Sequence, residues 1–237
     1  MSKAVQQTEA AGAAESESIT FQGRKTARQG SEQRRLAILQ AALRVMVRDG
    51  VRGVRHRAVA KEAEVPLSAT TYYFKDIHDL VADAFSLYAQ ETIDTLVTPF
   101  WAQALNWVTG AYNSAEAVLQ KPELMVGIID HMADAGVEYI LQRVTVYRER
   151  ILIEHAFLSA ALQDERLHAM ALQHSRRLSA SLTQLLEMVK IAEAELAAAA
   201  IIGTVRRLEY EAVMSAEPDR AAIKRALVHQ VRAVTRP

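Results

Sequence analysis

Apolar side chains at Ile38, Ala41, Ala42, Val45 and Met46 follow the i, i+3, i+4, i+7, i+8 spacing of one face of an α-helix. That spacing predicts a helix from about Ser31 to Asp49-Gly50, where glycine can take the left-handed conformation that closes a helix. Its arginines are expected on the wet side. After a link at residues 51–54, Val59, Ala60 and Ala63 mark a short helix over about residues 57–63. A turn at Glu64-Val65 leads to Pro66, a residue suited to the first turn of a helix, and a second short helix is predicted over Leu67–Tyr73. Ile77, Leu80, Val81, Ala84, Phe85 and Tyr88 then mark a long helix running towards Val97 and ending before Pro99.

Beyond Pro99 the pattern predicts further helices, with breaks at Gly110, Lys121-Pro122, Gly136, Gln163-Asp164 and Glu217-Pro218. From Tyr139 to Ile153 apolar and polar residues partly alternate, as a strand would, but no partner strand is predicted elsewhere, so helix is assigned. The fold class is all-α. Residues 1–30 show no apolar periodicity and are expected to be a disordered tail ending in Arg24, Lys25 and Arg28. A DNA-binding domain is expected over residues 31–76, with its helix-turn-helix at about 55–74, and a helical body over 77–237.

Composition sharpens this picture in two ways. The chain has no cysteine, which excludes a disulfide framework and thiolate chemistry and fits a cytoplasmic protein. No signal-peptide pattern opens it, and its most apolar late run, residues 196–205, is too short to span a bilayer. The net charge of +0 hides an uneven distribution. Between Arg24 and Lys75 stand twelve basic and four acidic side chains, a surplus of eight; since the chain has 28 of each sign, the remainder carries an equal acidic surplus. A basic segment joined to an acidic body points to a polyanion at one end, or to a solvated helix surface.

The run from Ile38 to Leu80 resembles the N-terminal domain of the TetR family of one-component transcriptional regulators. The resemblance rests on Ile38, Ala41 and Ala42, then Gly50, Val59-Ala60, Ala63, Val65, Tyr73-Phe74 and Leu80. It implies that Leu67–Tyr73 enters the major groove, with Leu67, Ser68, Ala69, Thr70, Thr71, Tyr72 and Tyr73 facing or flanking base edges. Arg55, His56 and Arg57 at the start of the preceding helix would meet phosphate, as would Lys75. The other reading of His56, Thr70 and Tyr73 is packing within the domain's small core. This chain departs from the family pattern at Arg55, which replaces a Ser or Thr cap, and at Glu64, which replaces the turn glycine. Thr71 and Ile77 replace a tyrosine and a lysine that touch phosphate, so those contacts are expected to pass to Tyr72 and Lys75.

The same resemblance implies a homodimer and a small-molecule site in the C-terminal helices, with no cofactor. Phe100, Trp101, Trp107, Tyr112, His131, Tyr139, Tyr147, His155 and Phe157 are the candidate lining, or ordinary core. For the dimer, residues 164–189 present Leu167, Met170, His174, Leu178, Leu182 and Leu185 along one side, and residues 196–214 add Ala199 and Gly203. An internal core helix would need the same pattern. The implied function is a ligand-responsive repressor on a palindromic operator, with an activator of the same fold as the alternative. No catalytic motif is found: His168 and His174 are six apart, and HExxH, P-loop and GxSxG patterns are missing. An architectural DNA protein would need basic surface over most of its length, and this chain is acidic over the larger part.

Overall fold

The computed structural model describes residues 29–112 and 122–235, and every regular element among them is helical. Helix α1 (Gln29–Asp49) is followed by one 3-10 turn, then α2 (His56–Glu62) and α3 (Leu67–Tyr73). The α1 stripe is fully buried, with Ile38, Ala41, Ala42 and Val45 enclosed against Val59, Phe74 and Leu80. The two seven-residue helices α2 and α3 thus share one small core with α1, which neither could form alone.

Leu80 belongs to α4 (Ile77–Thr92), whose start is capped by the Asp76 side chain accepting from the His78 N–H. Arg35 of α1, expected on the wet side, is instead buried. Its Nη2 lies 2.7 Å from Asp83 of α4, and its guanidinium stands 5.5 Å from the Phe74 ring centroid. Removing one member of such a pair would strand a buried charge, so the pair fixes α4 to α1.

Pro99 does not end the helical run. A five-residue π turn, Ile93–Val97, joins α4 directly to α5 (Thr98–Tyr112). Proline lacks an N–H and its ring crowds the carbonyl four residues earlier; a locally widened turn accommodates that defect without breaking the path.

The body continues with α6 (Pro122–Thr145), α7 (Arg148–Ala161), α8 (Glu165–Met188), α9 (Ala194–Met214) and α10 (Arg220–Thr235). The alternating stretch is a corner between α6 and α7, where the N–H groups of Val146 and Tyr147 both reach the Gln142 carbonyl. Gly136, expected as a break, lies inside α6. A Cβ there would come within 2.9 Å of Leu227 of α10, so the glycine serves close helix packing. Gly110 likewise lies within α5. No described helix is long and apolar enough to cross a membrane.

Candidate DNA-binding face and ligand cavity

The turn between α2 and α3 is built by backbone hydrogen bonds from Val65 N to Ala60 O and from Glu64 N to Lys61 O. This closing motif places its central residue in the left-handed region, and Glu64 has φ 54. From the turn, α3 projects Leu67, Ser68, Thr71 and Tyr72 into solvent, with Tyr72 52% exposed. Arg55 and Arg57 are exposed at the start of α2, and Lys75 is exposed just past α3. Arg55 makes no side-chain cap bond, since a guanidinium can only donate.

Two residues expected to touch DNA do not reach the surface. Thr70 has no exposed area and its hydroxyl donates to the Leu67 carbonyl at 2.8 Å. Tyr73 is buried, with its hydroxyl 2.9 Å from Ser31 Oγ of α1. Both hold α3 in the core, because their positions fall on its inner side. Ala69 and His56 are half-buried, and the His56 Nδ1 is enclosed.

A cavity of about 180 Å³ lies within the helical body. Phe100 and Trp101 of α5, Tyr139 of α6, Leu182 of α8 and Ile201 of α9 form part of its apolar wall. Among the described residues, the other expected aromatic side chains do not line it. Trp107 stacks on His131 with ring centroids 3.6 Å apart, and His155 is exposed beside Tyr210. Phe157 is fully buried, stacked on Phe85 at 3.5 Å in the core joining α4 to α7. Tyr147 immediately precedes α7, with the Arg150 guanidinium 5.9 Å from its ring centroid. The Tyr112 side chain lies outside the described residues.

One side of the cavity is polar, and sequence reasoning missed it. Glu154 of α7 accepts from the Tyr88 hydroxyl at 3.1 Å and from Arg206 Nη2 at 2.9 Å. Arg143 Nη2 lies 3.5 Å from it, and His174 Nε2 stands 3.3 Å away without hydrogen-bond alignment. Arg143 also donates through Nε to Glu209 at 2.9 Å and through Nη2 at 3.3 Å. Burial pushes the Glu154 carboxyl up, but His174, Arg206 and Arg143 outweigh it and hold the group well below the ordinary carboxylate range. For Glu209 burial wins over Arg143, and the pKa is raised. Burial also pushes Tyr139 up to about 12, so it remains a neutral hydroxyl. The available sequence signal was a charge at apolar-face positions: Arg143 three residues after Ile140, Glu154 three after Ile151, and Glu209 beside Leu208.

The expected dimer residues divide by face. Leu167, His174, Leu178 and Leu182 point into the protomer's own core, while Met170 and Leu185 are half-buried against it. They pack internally instead of forming an outer seam. Ala199 and Gly203 do lie outside, and on the same exposed side of α9 stand Leu196, Tyr210 and Met214. On α8, Leu172 and Met188 are exposed as well.

No protein-family model and no curated protein matches this chain. Solved structures do. A TetR-family member from Streptomyces coelicolor A3 is similar at 22% identity and a TM-score of 0.58, over 84% of this chain and 98% of the other. A transcriptional regulator from Rhodococcus sp. Rha1 gives 20% identity and a TM-score of 0.60, over 84% and 95%. The multidrug binding protein EbrR, solved with imidazole, gives 22% identity and a TM-score of 0.56, over 86% and 92%. At these identities the likeness is one of fold: the chain has the all-helical fold of TetR-family transcriptional regulators.

Proposed function

We propose that this chain, folded as TetR-family regulators are, is a sequence-specific DNA-binding transcriptional regulator released from a palindromic operator by a small molecule. The observation that carries the reading is the course of α4. Its first turns pack beneath the helix-turn-helix through Leu80 and Asp83, and its last turns supply Tyr88 to the polar cluster and Thr92 to the cavity wall. Whatever occupies the cavity therefore acts on the element that positions α3. A ligand shifts DNA affinity only through differential binding to the DNA-competent and released arrangements, and α4 is the part able to differ between them.

The outer face of α3 supports the DNA half of the reading. Ser68 and Thr71 offer hydroxyls, and Leu67 and Tyr72 offer apolar and aromatic surface, the chemistry that reads base edges and thymine methyls. Arg55, Arg57 and Lys75 supply phosphate contacts. EbrR, with the same fold, has been solved with proflavin and ethidium as well as imidazole, which supports a small-molecule partner here.

The partner for the exposed apolar side of α9 is a second copy of this chain. Leu196, Tyr210 and Met214, all large apolar side chains left exposed, share one side of it with Ala199 and Gly203. Nothing lies within 4 Å of the place where a Cβ on Gly203 would stand, so a partner helix can approach closely there. Two-fold pairing would set two α3 helices about 34–36 Å apart, one DNA turn.

The test is selection of bound fragments from a random or genomic DNA pool, followed by competition with small molecules. A recovered palindromic site whose binding is weakened by a cavity ligand is the expected result. Failure to enrich any sequence from a well-folded dimer would overturn the reading.

A further inference from the structure

We infer that the cavity selects an uncharged, largely hydrocarbon molecule and holds it by burial alone, the four charged residues on its wall serving the fold and not the ligand. This rests on the reading of the cavity as the ligand site and narrows the class of ligand.

Arg143, Glu154, Arg206 and Glu209 all border the cavity, and such a set could offer ionic anchors. Each is already committed. Glu154 Oε1 accepts from Arg206 and its Oε2 from Tyr88 and Arg143, while both Glu209 oxygens accept from Arg143. Arg206 is 27% exposed, but its Nη1 donates to Ser175 Oγ at 3.0 Å and its Nη2 to Glu154. The remaining guanidinium atoms, Arg143 Nη1 and Arg206 Nε, are enclosed by the protein, so a molecule in the cavity does not reach them.

That arrangement disfavours ligands of either sign. A cation would have to take a carboxylate from its arginine, and an anion would have to take an arginine from its carboxylate. Either exchange leaves a buried charge without its partner, which costs more than the new pair returns. The polar groups left on the wall are neutral. Thr92 accepts from Arg150 Nη1 at 3.1 Å, and Tyr139 keeps its proton because burial pushes its hydroxyl up to about 12.

The rest of the wall is apolar, with Val97, Trp101, Ile128, Leu182 and Ile201 on five different stretches of the chain. Burial against such a wall strengthens binding by about fourfold for each methylene removed from water. A dry apolar cavity of about 150 Å³ admits benzene, and the 180 Å³ here holds a ring with a small substituent. The cavity is partly open, so its volume bounds the buried part of a ligand and not its whole length.

The experiment uses probes small enough to enter whole: toluene, ethylbenzene, benzylammonium and benzoate. Heteronuclear NMR titration of the labelled full chain reports both affinity and location. Ethylbenzene should bind about fourfold more tightly than toluene, and more tightly than either ion by about tenfold or more, because a charge inside the cavity loses water and finds no free counter-charge. All shifts should centre on residues lining the cavity. Either ion binding there as tightly as ethylbenzene, or no gain from toluene to ethylbenzene, would overturn the inference while the ligand-site reading stood. Failure of all four to shift residues lining the cavity would count against both.

Discussion

Tyr88 of α4 donates its hydroxyl to Glu154 of α7 across 3.1 Å, and this bond ties the helix packed beneath α1–α3 to the polar wall of the cavity. Burial, reinforced by the Glu154 charge, pushes the Tyr88 hydroxyl well above its ordinary pKa, so it remains a donor. Tyr88→Phe removes this tie and leaves Glu154 its arginine partners. Stability should fall by about 1.5–3 kcal/mol, the worth of a buried hydrogen bond to a charged acceptor. The factor by which a cavity ligand weakens operator binding should change too, while DNA affinity without ligand stays close to wild type. Denaturant melts and paired titrations check the two parts separately.

Glu154 gives a pH prediction with a definite sign. Its carboxyl is held below 4.5 in the folded state, so its contribution is fully present above that value and is lost as pH falls through the lowered folded value. Glu154→Gln should destabilise by about 3 kcal/mol near neutrality, because it leaves buried positive charge without its counter-ion. The gap between wild type and variant should close progressively below pH 4.5. Glu209 behaves oppositely: its raised pKa means the folded state takes up a proton before the unfolded chain does, so acidification relieves part of its burial cost. Equilibrium unfolding of Glu154→Gln and Glu209→Gln across this range would show gaps from wild type of opposite slope; parallel curves would contradict the assignment.

For DNA, Thr71→Ala and Tyr72→Ala should each weaken operator binding by about 1–3 kcal/mol with no loss of fold, since both side chains are exposed on α3. Thr70→Val is the contrast. It touches a buried hydroxyl bonded to its own helix, so its effect should appear in stability. Neutralising Arg55, Arg57 or Lys75 should weaken binding to all sequences and reduce the salt slope by about one unit. Electrophoretic or fluorescence binding isotherms at several salt concentrations separate these classes.

The helix-turn-helix half was legible because its signals are local. The α3 bounds, Leu67–Tyr73, follow from Pro66 and the apolar spacing. The left-handed turn residue at Glu64 follows from the resemblance. The body was less legible because its decisive features join residues far apart in sequence. Arg35 stands three residues before Ile38 and seven before Ala42, on the buried side of its own helix, and the Asp83 that pairs with it there lies 48 residues on. Arg143 and Glu209 are 66 apart. Which side of α8 faces the protomer's own core depends on the cavity wall and α9. Leu182 and Gly203 looked alike as seam candidates, although one is buried and the other exposed.

Glu64 stores strain that can be measured. A non-glycine residue at φ 54 is disfavoured by about 1–2 kcal/mol, and Glu64→Gly relieves it. Extra unfolded-state freedom of glycine offsets about 0.4–1 kcal/mol of the gain. A net stabilisation of up to about 1 kcal/mol is expected, with operator affinity little changed. Lys190 at φ 53 ends α8 through the same pair of backbone bonds, from Ile191 to Leu186 and from Lys190 to Glu187. Lys190→Gly should therefore give a gain of similar size. Chemical denaturation of the two variants, alone and combined, checks this; a loss of stability at both sites would contradict the strain account.

The dimer proposal is tested by separating the outer side of α9 from its inner side. Gly203 is exposed with open space around it, so Gly203→Arg can be accommodated by the protomer but not by a partner helix packed against it. Leu196, 65% exposed, offers the same distinction through Leu196→Asp. Both variants should sediment as folded monomers with helical content unchanged, and both should lose specific operator binding although no DNA-facing residue has been altered. Leu182 is only 3% exposed inside the protomer, so Leu182→Asp should unfold the body rather than dissociate a dimer. One α3 helix reads too few base pairs for useful specificity, which is why loss of pairing should remove specific binding and leave only weak, salt-sensitive attachment through Arg55, Arg57 and Lys75. Sedimentation of wild type and Gly203→Arg at micromolar concentration decides the matter: a wild-type monomer that holds its operator as tightly as any dimer would overturn the two-fold architecture.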